Sequence, residues 1–420
     1  MCIRDRFRTA LTAPEVQVLA GNGTPTATLD YFLSHQSAPY RAAQAELKTL
    51  REQENALVND VPEIMVMEDM PERRVTHVLK RGAYDAPGDE VRPDTPEKIL
   101  KFPAGQPRNR LGLAHWLTDR ANPLTARVAV NRVWKMHFGY GLVATPEDFG
   151  SQGRLPTHPA LLDWLSGWFM DNGWDVKALH RLIVNSATFR QSSRATPELV
   201  ERNPENRLLA RGPKLRLLAE QIRDSALAAS GLLNRTLGGP SVKPYQPTGL
   251  WEQAGTGKTY TQDHGDKLYR RSLYTFWRRT APPPSMLTFD ASTREVCTAK
   301  RETTATPLQS LVLLNDPQFL EAARVMGERL LKQFPNAEAQ RNRVAFRELT
   351  GRWPDNTERR ILSQLFAEQR SLFAKDHEGA TKLLRIGESK RDESLPPAEF
   401  AAMTTLVSAI MNFDEFVVER

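Results

Sequence analysis

Apolar residues recur along most of this chain at the spacing of helices. From Pro39 onward Ala43, Leu47, Leu50, Leu57 and Val58 repeat at near-helical intervals, with Lys and Glu between them and Pro62 at the end. The narrow apolar stripe and charged face predict a helical hairpin arm or coiled-coil packing. The pattern then changes. Val75, Val78 and Leu79 form a short strand candidate in a connector punctuated by Gly82, Pro87-Gly88, Pro93 and Pro96. From Asn109 helices dominate: one through Leu111, Leu113, Trp116 and Leu117, and a second opened by Asn122-Pro123 and closed by Gly139. A third carries Leu161 to Phe169, Asp175 caps a fourth over Val176–Val184, and a longer one is expected from about Pro213 to Ser230, stopping at Gly231. Thr306-Pro307 and Asp316-Pro317 open two more, and helices near 336–348, 357–373 and 397–412 complete the expected fold. The tryptophans at 116, 134, 164, 168 and 174 share helical spacing with leucines and are expected in the core.

Residues 238–300 interrupt this pattern. Leu268–Arg279 alternates aromatic and arginine side chains, which predicts a strand placing Arg271, Leu273, Thr275, Trp277 and Arg279 on one face. Arg270, Ser272, Tyr274, Phe276 and Arg278 fall on the other. The expected fold class is therefore mainly α, with a small β element near 268–280 and a β-containing connector near 74–92. Residues 1–8 read as a non-native scar, 9–107 as the tail of a preceding domain with its helical arm, and 108–415 as one C-terminal helical domain.

Composition narrows the chemistry only slightly. The net charge of +7 over 420 residues allows an anionic partner without requiring one. Cys2 and Cys297 cannot build a disulfide framework, and the lack of CxxCH or paired CxxC motifs excludes covalent haem and four-cysteine zinc sites within this chain. No apolar run approaches the roughly 20 residues that span a bilayer. Met1–Arg8 lacks the apolar core of an export signal. Gly255-Thr256-Gly257-Lys258-Thr259 imitates a phosphate-binding loop, but Glu252 stands where the first glycine must be, so a loop is expected instead. The eight histidines form no HxH, HxxxH or HExxH spacing, and no metal site is expected.

The remaining candidates surround the arginine-rich segment. Guanidinium groups beside flat rings can grip carboxylate, sulfate or phosphate and stack on sugars. Arg270, Arg271, Tyr274, Trp277, Arg279, Asp290, Arg294 and Glu295 are accordingly the candidate binding residues. Asp290 and Glu295 could divide acid and base work, or they could cap a helix and neutralise arginines, which is the commoner use.

Four blocks in order give a family resemblance. They are Asn122 to Gly150, Pro156-Thr157-His158-Pro159 with Leu161-Leu162-Asp163-Trp164, Leu268 to Cys297, and Thr306-Pro307-Leu308-Gln309 with Leu314-Asn315-Asp316-Pro317. Together they resemble the C-terminal domain of unknown function in planctomycete-type cytochrome-c-domain proteins, over about residues 108–415. The resemblance implies an extracytoplasmic multidomain protein whose haem c belongs to an N-terminal domain outside this fragment. Within the chain no cofactor is expected. The implied partners are the other domains of the same protein and an anionic glycan, with no nucleic acid and no membrane span. The implied role is binding or assembly; the alternatives are hydrolysis of acidic or sulfated polysaccharides and, more weakly, nucleic-acid binding. The family supplies no catalytic residue, and commonly carries Asn where this chain has Ala305.

Overall fold

The structure, a computed structural model, describes residues 11–255 and 257–419. Residues 1–8, read as a scar, lie outside that range. The chain forms two compact units, one ending at Arg92 and the other starting at Pro93. The first contains short helices Ala13–Leu19 and Pro25–Tyr31, then the long helix Ala38–Asp60. Ser37 caps that helix by accepting from the Tyr40 amide, and Pro39 sits in its first turn, where a missing N–H leaves no helical bond unmade. In the connector, strand Thr76–Leu79 pairs antiparallel with Pro87–Val91, Thr76 opposite Val91 and His77 opposite Glu90.

Among the described residues the second unit is built of helices around two main cores, with a small third cluster at Leu227, Leu268 and Tyr269. In the first, helix Thr125–Phe138 packs on Pro159–Asp171 and Val176–Val184, joining Val130, Trp134, Phe138, Leu162, Phe169, Leu179 and Ile183. Asn122 is not the N-cap that the Asn-Pro pair predicts: its Oδ1 accepts from the amides of Leu124 and Thr125 in a turn ahead of the helix, which begins at Thr125 with Leu124 at the N-cap. Trp116 and Trp134 are buried, whereas Trp164 is 56% exposed, against the expectation of a core residue. Its helix buries Leu162, Leu165, Ser166 and Phe169, and position 164 points away from that stripe.

The second core centres on Pro397–Met411, a helix apolar on every side and therefore enclosed on every side. Helices Pro317–Gln333, Asn356–Lys375, Glu338–Thr350 and His377–Leu384 surround it, and Gly327 admits Met403 and Thr404 at close range. The long helix expected from Pro213 begins only at Ala219. The preceding residues Leu215–Arg216 instead form a strand with Val418–Glu419, Arg216 opposite Val418. A partner some two hundred residues away leaves no local trace in the sequence.

Candidate functional site

The arginine-rich segment does not form a ribbon. It makes two 3-10 turns, Gly265–Tyr269 and Ser272–Tyr274, and touches strand-like neighbours only at the single bridges Asn234–Arg270 and Val242–Thr275. The cause is a side chain. Arg223, fully buried in helix Ala219–Ser230, donates from Nη2 to the Leu268 carbonyl (2.6 Å) and from Nη1 to the Arg270 carbonyl (2.8 Å) and Ser272 Oγ (3.2 Å). Its Nε donates to Gln318 Oε1. Asp224 accepts the Ser272 amide at 2.8 Å. These bonds take the backbone groups that a neighbouring strand would have used. Burial draws the Arg223 pKa down to about 10, against the pull of Asp224 and Asp316.

The eight candidate residues separate accordingly. Arg270 is buried and donates to the carbonyls of Pro240 (2.8 Å), Thr236 (3.2 Å) and Gly238, with its guanidinium 3.8 Å from the Tyr274 ring centre. The Tyr274 hydroxyl accepts from the Gly238 amide. These two side chains clamp the 236–240 loop and leave no face for a ligand. Arg271 pairs with Asp224 at 3.8 Å. Trp277 donates to the Thr293 carbonyl, and Arg294 lies 4.5 Å over its ring. Arg279 and Glu295 are exposed, and neither has a hydrogen bond or ion pair among the described residues. Asp290 stands in the left-handed region (φ 60°) and accepts the Thr304 amide and hydroxyl at 2.7 and 2.9 Å. Asp290 and Glu295 therefore do not converge as a carboxylate pair.

A polar cleft lies beside Asp290, with a volume of about 320 Å³. Arg216, Thr306, Gln309, Ser310, Asn412 and Asp414 line it. Gln309 organises one wall. It stands in the first turn of helix Pro307–Asn315 and reaches back to the Thr306 amide in a capping box. Its Nε2 donates to the Thr288 carbonyl (2.9 Å) and Thr304 Oγ1 (3.3 Å), and its Oε1 accepts from Arg216 Nη2 at 2.6 Å. Thr304 in turn holds Asp290. The network thus runs from Arg216 through Gln309 and Thr304 to Asp290, from three segments far apart in sequence.

Arg216 is the unusual member. It is half-buried, stands 5.8 Å from the Phe289 ring centre, and forms no ion pair within 4.0 Å among the described residues. Burial lowers its pKa below the usual arginine value, while Asp290 and Asp414 act against that from a distance. One of its five N–H donors is engaged. Sequence reasoning missed Arg216, because its strand partner is remote. Gln309 had a local signal in the Thr306-x-x-Gln309 capping pattern.

Histidines meet once in this unit, where His137 Nε2 and His180 Nδ1 lie 2.7 Å apart against Phe189. Among the described residues no three His, Cys, Asp or Glu side chains gather as a metal site, and no helix is long and apolar enough to cross a membrane.

Fold and cleft together define a mainly helical domain with a single-arginine polar cleft. Residues 109–366 match the PSD1 family, described as Protein of unknown function (DUF1553), and the chain belongs to that family. Neither a curated protein nor a solved structure gives a match.

Proposed function

We infer that this chain is a non-catalytic binding module that holds an anionic group, a carboxylate or sulfate of a polysaccharide, in the Arg216 cleft. The observation that carries the reading is the half-buried Arg216 guanidinium, which bonds a neutral amide and stands near a ring. A planar guanidinium fork matches the two oxygens of a carboxylate or sulfate, and partial burial strengthens that bond relative to one in open water. Ser310 and Thr306 supply hydroxyls around it. In this reading the module serves an extracytoplasmic, multidomain cytochrome-c-like protein, with the haem on another domain. Hydrolysis by Asp290 and Glu295 has less support: the first carboxylate is occupied by Thr304 and the second points into solvent. Nucleic-acid binding is weaker still, since among the described residues lining the cleft Arg216 is the one basic side chain.

The test is retention of the full chain on heparin and polygalacturonate, with uncharged dextran as control. A charge-assisted hydrogen bond contributes about 1.5–3 kcal/mol, so Arg216→Met should weaken retention roughly 10- to 150-fold, with the helical signal retained and a melting temperature lowered by loss of the Gln309 bond. Arg216→Lys should recover part of it. Equal retention of the parent and Arg216→Met on both acidic polymers would reject the reading.

A further inference from the structure

The chain holds two Asn-Gly pairs, Asn22-Gly23 and Asn172-Gly173, and their surroundings differ. Such a pair carries its own chemistry: the side-chain amide carbon can reach the next residue's nitrogen, and a glycine puts no Cβ in the way. Both asparagines are exposed. After helix Pro159–Asp171 the pair is tied down. Asn172 Nδ2 donates to the Trp168 carbonyl at 2.8 Å, and the Gly173 amide donates to the Met170 carbonyl at 3.1 Å. In the turn between helices Ala13–Leu19 and Pro25–Tyr31, the backbone amide of Asn22 donates to the Gln17 carbonyl at 2.9 Å. Among the described residues neither the Asn22 side chain nor the Gly23 amide has a hydrogen-bond partner. The attacking nitrogen and the carbon it attacks are therefore both unrestrained at this pair. We propose that Asn22 is a site of spontaneous modification, converting to aspartate and isoaspartate, while its two bonds protect Asn172.

The step needs only water. The Gly23 nitrogen loses its proton to solvent base and attacks Asn22 Cγ. The new N–Cγ bond closes a succinimide, the Cγ–Nδ2 bond breaks, and Nδ2 leaves as ammonia after taking a proton from water. A second water then adds to one of the two ring carbonyls. Breaking the N–Cγ bond restores the main chain with aspartate at position 22. Breaking the bond from the nitrogen to the main-chain carbonyl carbon routes the chain through the side chain as isoaspartate, longer by a methylene. Packing keeps the reactive pair in place: a Cβ on Gly23 would lie 2.6 Å from Val18 Cγ2 and 2.9 Å from Val18 Cα, so the turn requires glycine there. The same tight fit gives the modification a consequence. Aspartate leaves the backbone path unchanged, whereas isoaspartate lengthens it where Gly23 is pressed against Val18, and so loosens the packing of the two short helices.

Ageing the full chain in mildly alkaline heavy-oxygen water, with peptide mapping by mass spectrometry, tests this. The Asn22 peptide should take up heavy oxygen roughly tenfold faster than the Asn172 peptide or more, because Asn172 must first break two hydrogen bonds. In urea the two rates should converge. Chymotrypsin should cut within residues 13–31 faster in the aged chain than in the fresh one. Fresh Asn22→Asp, with its normal backbone, should be cut at the fresh parent's rate, and Asn22→Ser should keep that rate through ageing. Equal rates at the two asparagines in the folded chain, faster conversion at Asn172, or no conversion at Asn22 while the urea sample converts would overturn the proposal. An aged chain cut no faster than the fresh one would overturn the loosening.

Discussion

Replacing Arg223 with methionine should destabilise the second unit more than any change to an exposed arginine of the 268–280 segment. The side-chain volume is nearly kept, so the loss is one of hydrogen bonds and not of packing. Three acceptors that Arg223 serves, the carbonyls of Leu268 and Arg270 and Gln318 Oε1, would remain buried without a donor. Each buried unsatisfied group costs about 1–3 kcal/mol. Removing the guanidinium also removes its own desolvation penalty, which offsets part of that sum, so the net expected loss is about 3–5 kcal/mol. Arg271→Ala is the internal comparison. Its pair with Asp224 spans 3.8 Å at a half-exposed side chain, and such pairs contribute about 0–1 kcal/mol. Urea unfolding of both variants measures the difference. Native-state amide exchange adds a local reading, because the Tyr274 and Thr275 amides, bonded to Arg271 and Ser272 carbonyls, should lose protection first in Arg223→Met. Midpoints for Arg223→Met and Arg271→Ala that agree within error would refute the idea that one buried side chain replaces the missing strand partner.

Two further outcomes test the same logic elsewhere. His137 has a pKa held below its ordinary 6.5 by burial and then by His180, so the folded state favours the neutral ring; its contribution is present above pH 6.5 and is lost as pH falls through the lowered folded value. Urea midpoints should drop across that interval in the parent and change less in His137→Phe, and identical pH profiles would contradict this. Gly387 stands at φ 91°, and a Cβ there would lie 2.4 Å from Glu321 Cδ. Gly387→Ala should therefore cost about 2–5 kcal/mol by combining backbone strain with overpacking, whereas Gly351→Ala, at φ 77° with nothing within 4 Å, should cost about 1–2 kcal/mol. Equal thermal shifts for the two alanines would show that the Glu321 contact is irrelevant.

Local chemistry made the helices legible. The Asp316 and Asp175 side chains accept first-turn amides where their sequence patterns placed them, and Gly139 and Gly231 close helices in the left-handed conformation. The 268–280 segment was misread because alternation of rings and arginines looks alike whether a strand or a distant guanidinium satisfies the backbone. Arg223 lies 45 to 49 residues from the groups it serves, beyond any periodic signal. Asp290 and Glu295 looked paired because they are near in sequence. Positive φ at Asp290 and Arg294 turns the chain twice between them, leaving the first carboxylate on Thr304 and the second in water.

The number of arginines was therefore a poor guide to recognition, and what their donors meet is a better one. Arg223, Arg270 and Arg324 each direct two or three hydrogen bonds at backbone carbonyls: those of residues 268 and 270, of the 236–240 loop, and of Ile386 and Ser389. Each replaces a missing sheet or helix partner in an irregular segment, and a bound anion would have to compete with those bonds. Arg216 instead stands 5.8 Å from a ring centre, gives one bond to an amide, and lines a cleft. Anion recognition in this chain should consequently follow one guanidinium and not the net charge of +7, so loss of an exposed, unpartnered arginine such as Arg279 should leave retention on acidic polymers close to the parent while loss of Arg216 removes it.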